Sequence, residues 1–282
     1  MVGSSGGRLM AAIALLTVAA AGCGKHDPSS STGPSYGNGV TAVTGQDYGA
    51  GTTGAAVITS HRVFAATGDL TAALAEFRAR LGEPSNKTAG EQPTGRREVN
   101  WDGVPSGLTN VDTFPADFFN RVVPRGQVYT TEGTGFRVSD NALADLNQTY
   151  GTDFDAFSPP KIFIPRGARA LTVHFRVAGS STPALVNGFG VVFSDVDREG
   201  SARLVFFDAK GHTLLAVNAP VRSDKAGFSF AGATFRAPIV AAVRIISGQA
   251  AITGSNLDVT DGGDADLVAT DDFISGEPHA IR

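Results

Sequence analysis

Cysteine occurs once in this 282-residue chain, at Cys23, so no intramolecular disulfide can form and a disulfide-stapled small scaffold is excluded. Histidines are few and scattered (His26, His61, His174, His212, His279), and no His-Glu-x-x-His pair of zinc ligands occurs. Beyond the tether, from residue 46 on, there is no Gly-x-Ser-x-Gly nucleophile elbow and no phosphate-cradling glycine loop. Basic residues number 23 against 27 acidic ones, a net charge of −4, with no Lys/Arg stripe, which argues against nucleic acid as a partner. These absences lean against an enzyme. A carboxylate-dependent glycoside hydrolase stays open as an alternative, because its acids come from distant strands and leave no short motif.

What is present begins with a leader. Arg8 precedes Leu9 to Ala21, an apolar stretch closed by small residues and too short to span a bilayer, which is the pattern of a signal peptide over residues 1–22. No later segment reads as transmembrane. Ala20-Ala21-Gly22-Cys23 resembles the bacterial lipobox, in which the cysteine is lipidated and becomes the first mature residue; cleavage after Ala21 without lipidation is the alternative. Either cut exports the chain. Lipidated Cys23 would bind a membrane, and Gly24 in place of a retention Asp implies, by that resemblance, an outer-membrane lipoprotein of the cell envelope. Residues 23–45 are rich in Ser, Gly, Thr and Pro and predict a flexible tether reaching roughly 25 Å. The leader holds one basic residue and no acidic one, so 22 basic residues face 27 acidic ones after its removal.

The remainder predicts an all-β fold, a two-sheet sandwich or jelly roll with one short N-terminal amphipathic helix. Residues 46–95 read as an N-terminal extension and 96–278 as the sandwich. Leu70, Leu74, Phe77 and Leu81 recur at helical spacing, with Asp69 as N-cap and Gly82 as stop, placing the helix at about 69–81. The period then becomes two. Leu171, Val173, Phe175 and Val177 alternate with Thr172, His174 and Arg176; Val243 and Ile245 flank Arg244. Phe189 to Phe193 and Leu204 to Phe207 are continuous apolar runs suited to central strands, and Leu267 to Ile274 form a last strand. Asp208-Ala209-Lys210-Gly211 suits a type I hairpin turn.

The segments Gly95-Arg-Arg-Glu-Val-Asn-Trp-Asp-Gly-Val-Pro105, Phe189-Gly-Val-Val-Phe-Ser-Asp-Val-Asp197, Phe206-Phe-Asp-Ala-Lys-Gly211, Gly227-Phe-Ser-Phe230 and Asp271-Asp-Phe-Ile-Ser-Gly-Glu-Pro278 carry a likeness. Together they resemble a group of uncharacterised exported bacterial β-sandwich proteins, more loosely the domains ahead of PEP-CTERM and other surface anchors. The resemblance spans about residues 63–278 and implies a fold and an exported location, not an activity.

Candidate site residues are mostly acidic. Asp271 and Asp272 follow an apolar run and, in a regular strand, point to opposite faces, so at least one carboxylate enters a region of low dielectric and needs a cation, an arginine or several donors. Arg96, Arg97 and Arg125 are candidate ion-pair partners. Jelly-roll carbohydrate-binding modules hold a structural calcium with a similar pair; that resemblance implies calcium on Asp102 and Asp272, with Asp271 beside them, if first and last strands pair. Asp195-x-Asp197-x-Glu199-Gly200 matches half of an EF-hand loop, but Phe206 stands where the closing Glu belongs, so a solvated hairpin is the default there. The run Asp258, Asp261, Asp264, Asp266 also reads as a solvated loop. Trp101, Tyr129 and Tyr150 are the aromatic platforms available to a glycan. The functional expectation is therefore a lipid-anchored structural or ligand-binding module, with a glycan or an envelope protein as partner.

Overall fold

Period-two alternation of apolar and polar residues produces strands with one buried face, and two such sheets stack here. The computed structural model describes residues 60–282; the leader, Cys23 and the tether lie outside the described residues. The chain runs β1 (His61–Thr67), α1 (Thr71–Leu81), β2 (Arg96–Val99), α2 (Phe118–Arg121), β3 (Gln127–Thr131), β4 (Gly135–Ser139), α3 (Tyr150–Asp153), β5 (Ile162–Arg166), β6 (Ala170–Phe175), β7 (Ala184–Leu185), β8 (Gly188–Ser194), β9 (Arg203–Phe207), β10 (Thr213–Asn218), β11 (Phe228–Phe235), β12 (Ala242–Ile246), β13 (Ala269–Gly276) and β14 (His279–Ala280). Strand pairs are antiparallel. One sheet has the order β1-β11-β8-β13-β5-β4, with β2 also on β13; the other has the order β10-β9-β12-β6-β3. The fold is an all-β sandwich.

The core between the sheets comes from alternate residues: Phe189, Val191 and Phe193 of β8 and Phe273 of β13 face Leu204 and Phe206 of β9, Val243 and Ile245 of β12, and Val173 and Phe175 of β6. The residues in between point outward. On the larger sheet that outer face is also covered, by α1 at one end and by the segment around α3 at the other. On the smaller sheet it meets solvent.

Helix α1 forms where its spacing predicts, and its stripe of Leu70, Leu74, Phe77 and Leu81 is buried on the sheet. The Thr71 N–H donates to the Asp69 carboxylate at 3.0 Å, an N-terminal cap in effect, and Gly82 ends the helix at φ +116°. Phe77 stands edge-on to Phe64 and Phe230, both at 5.1 Å, over Gly190 and Gly232, which oppose each other across β8 and β11. A Cβ on Gly190 would come within 2.6 Å of the Phe230 ring, so the glycine pair makes the seat for Phe77.

Two boundaries differ from the sequence reading. Strand β1 lies in the segment expected to be an extension, yet it pairs with β11 along its whole length, so the sandwich already includes residue 61. Asp271 and Asp272 do not take opposite faces, because the register of β13 on β8 shifts between Thr270 and Phe273. A bulge re-aims side chains in this way. The β9–β10 hairpin turns at the expected place: the Gly211 N–H donates to the Asp208 carbonyl, and the Asp208 carboxylate accepts from the Lys210 and His212 N–H groups, each at 2.8 Å.

Candidate metal centre

Strand β8 ends at Ser194, and the next residue, Asp195, takes a left-handed backbone conformation (φ +70°) that turns the chain sharply off the sheet. Its N–H donates to the Gly227 carbonyl at 2.9 Å, which fixes the turn against the start of β11. Asp197 follows two residues on. The third acid arrives from 61 positions later: Asp258 caps the short 3-10 turn Val259–Asp261, accepting from the Thr260 N–H (2.7 Å) and hydroxyl (2.8 Å) and from the Leu267 N–H (2.8 Å). Among the described residues, these three form the one trio of acidic or other ligating side chains that converges, with an oxygen from each within 4.8 Å of the others.

Three further carboxylates surround them. Asp266, just before β13, accepts from the Asp197 and Arg198 N–H groups through one oxygen. Asp153, at the end of α3, and Asp261 share the ammonium of Lys225, which lies between β10 and β11. Six acids thus meet one lysine, with Asp195, Asp153, Asp258 and Asp266 fully buried. Burial first, and then the charges of Asp197, Asp258, Asp153 and Asp266, push the Asp195 carboxyl up to about 9. The same causes raise Asp197 to about 7.

The decisive feature is what the oxygens lack. Among the described residues, both carboxylate oxygens of Asp195 and both of Asp197 are shielded from solvent and meet no hydrogen-bond donor, and the same holds for one oxygen each of Asp266, Asp153 and Asp261. Protein interiors seldom leave buried carboxylates in that state, because each such ion costs several kcal/mol. Calcium takes six to eight oxygens at 2.3–2.6 Å, so its ligands lie up to about 5 Å from one another, and the three converging oxygens here lie within 4.8 Å of one another.

This arrangement corrects two sequence expectations. The segment from Asp195 is no solvated hairpin, since Asp195 is buried; Glu199 of the half EF-hand pattern is exposed and plays no part. Nor is the later acidic run a solvated loop: Asp258 and Asp266 are buried, and only Asp264 is exposed.

Strands β2 and β13 do pair, from Val99 opposite Phe273 to Arg96 opposite Gly276, which brings Asp102 near the Asp271–Asp272 bulge. There the protein itself supplies donors. The Ser158 hydroxyl bonds Asp272 at 2.8 Å, its N–H bonds Asp271 at 3.1 Å, and the nearest guanidinium, Arg78, is 3.8 Å from Asp272. The expected arginines are committed elsewhere: Arg96 to Glu83 and Glu98, Arg97 to Glu277, and Arg125 to backbone carbonyls. Asp102 takes a bond from the Asn100 amide and does not converge with the pair as the other trio does.

The Asp271–Asp272 pair still titrates abnormally. Burial, and for Asp271 the neighbouring Asp272 charge, raise Asp271 to about 8 and Asp272 to about 6. A carboxyl raised above its unfolded value holds its proton more tightly in the folded state, so its stability contribution is complete in acid and is lost as pH rises. Through this pair stability is expected to fall between about pH 4 and pH 8, by roughly 5–10 °C in Tm, and Asp195 extends the fall beyond pH 8 in the calcium-free protein. Thermal melts of the Asp271→Asn variant across that range should show a shallower fall.

None of the proposed aromatic platforms reaches a ligand. Trp101 is fully buried, stacked on Phe163 at 3.9 Å and edge-on to Phe119 and Phe273, and its indole N–H donates to the Asp271 carbonyl. Tyr129 packs beside it, and buried Tyr150 donates its hydroxyl proton to the Asn256 carbonyl at 2.6 Å. All three are core residues.

No family model and no curated protein matches this chain. Among solved structures it is similar to the enzymatically active domain of tailspike protein 4 of bacteriophage CBA120, at 14% identity and a TM-score of 0.28. That alignment covers 60% of this chain and 21% of the tailspike domain, so the chain spans about a fifth of its neighbour's length. Likeness at that level carries no argument for fold or activity. No helix among the described residues is long and apolar enough to cross a membrane.

Proposed function

We propose that this chain is an exported, lipid-tethered protein of the bacterial envelope, a structural or ligand-binding β-sandwich whose loop end is completed by one calcium ion held by Asp195, Asp197 and Asp258. The observation that carries the calcium reading is the buried, donorless carboxylate of Asp195 inside a converging trio. Asp266 and Asp153 carry further donorless oxygens beside the trio, and backbone carbonyls or water would complete the six to eight oxygens that calcium takes. Three buried acids converge here, in place of the two carboxylates facing across a groove that a glycoside hydrolase needs, which favours ion binding over hydrolysis. The ion would tie the turn that follows β8 to the segment before β13, a structural role.

The tether rests on the leader and on Cys23. Metabolic labelling with a fatty acid should mark the wild-type chain and not Cys23→Ser. Calcium is tested by melting the protein in excess EGTA and in millimolar calcium. A ligand at a hundred times its Kd adds about 2.7 kcal/mol, a Tm rise of roughly 5–10 °C for a domain of this size. A melting temperature identical in EGTA and calcium would overturn the reading.

A further inference from the structure

The five strands of the smaller sheet, β10, β9, β12, β6 and β3, contain no aspartate or glutamate, although acidic residues outnumber basic ones in the chain as a whole. Their inward residues fill the core. Their outward residues include Arg203 of β9, Arg244 of β12, and Thr172 and His174 of β6, and cross-strand register sets Arg244 beside Thr172 and Thr172 beside Thr130. Arg169, on the turn into β6, joins them around an open hollow of about 620 Å³ lined also by Glu132. Arg244 is paired with Glu132; Arg169 and Arg203 are exposed and make no carboxylate contact among the described residues. A second hollow, of about 160 Å³, continues this one across Thr130, Thr131 and Thr172. The larger sheet has its outer face covered by α1 and by the α3 segment, whereas among the described residues no helix packs over this face.

We propose that this open sheet face binds an extended acidic polysaccharide, with sugar carboxylates seated on Arg169 and Arg203. Guanidinium and carboxylate match in shape and make paired charge-assisted hydrogen bonds, and the threonine hydroxyls suit the intervening sugar hydroxyls. The polarity of the face separates it from an apolar docking surface. Single-stranded nucleic acid would want several exposed aromatic side chains for base stacking, and the outward aromatics of these strands are the half-buried Phe207 and His174. The surface is distinct from the calcium trio, so either can fail without the other.

Short hyaluronan oligosaccharides, titrated into the full chain at low salt and in calcium, provide the test, with neutral dextran oligosaccharides and single-stranded DNA as the other arms. Binding to hyaluronan alone is expected, weakening with added salt. The double variant Arg169→Glu/Arg203→Glu should bind at least about tenfold more weakly while melting as the wild type does, whereas Arg121→Glu, at the exposed end of α2, should bind unchanged. Absence of hyaluronan binding, equal binding of dextran, preference for DNA, or full affinity in the double variant would each overturn the proposal.

Discussion

Replacing Asp195 by Asn is expected to raise the melting temperature of the calcium-free protein and to abolish its response to calcium. Asp195 is fully buried, neither of its carboxylate oxygens meets a donor, and four neighbouring acids add repulsion. Without an ion, Asp195 must take up a proton on folding at neutral pH, a penalty of about 2–4 kcal/mol. Asparagine keeps the shape, is neutral at every pH, and brings an amide that can donate to Asp197 or Asp258. The calcium-free variant should therefore melt roughly 5–10 °C above the calcium-free wild type. A variant that melts lower than wild type in EGTA, or that keeps its calcium response, would show that Asp195 is no ligand. Most substitutions at buried positions destabilise, so a gain here is a discriminating result.

The second large effect concerns the opposite situation, a buried charge with every bond satisfied. Arg97 and Glu277 are both essentially inaccessible to solvent, and the guanidinium grips the carboxylate with two bonds, 2.6 and 2.9 Å long. The remaining guanidinium N–H groups donate to the carbonyls of Thr88, Pro124 and Gly90, while Glu277 also accepts from the Asn86 amide and the Gln92 N–H. This network pins residues 86–92, which have no regular structure, onto β2 and the end of β13. Arg97→Ala is expected to cost about 3–5 kcal/mol, because it leaves Glu277 charged and unpaired in the interior. If that variant does not fold, Glu277→Gln should still do so at a smaller loss, and the double change Arg97→Met/Glu277→Met should recover part of the stability lost in the single variant. Urea denaturation measures all three. A loss below about 1 kcal/mol for Arg97→Ala would mean that the pair is solvated in solution.

Much of the fold was legible because it depends on local period. The stripe of α1, the alternation in β6 and β12, and the Asp208–Gly211 turn each follow from residues a few positions apart. The site was legible only in part, and for a physical reason. Asp195 and Asp197 stand two apart on one turn and could be singled out, but their partner Asp258 arrives 61 positions later, and nothing in a local pattern links the two. The cues near Asp258 and Asp266 were short: a threonine two residues after Asp258, as an N-cap prefers, and an acid placed directly against the buried run that begins at Leu267. Asp153 and Lys225 carried no such cue. Asp271 and Asp272 misled because alternation assumes a regular strand, and the bulge between Thr270 and Phe273 turns both carboxylates toward Ser158. Trp101 suited a glycan platform or the core alike on sequence, and the structure puts its ring in the core on Phe163, from a left-handed backbone (φ +65°).

The central claim is that Asp195, Asp197 and Asp258 hold a cation. Isothermal titration of calcium into metal-stripped protein measures it directly. The account predicts one saturable site per chain that is lost in Asp195→Asn and in Asp258→Asn; a flat titration of the wild type, or wild-type binding retained in both variants, would contradict it.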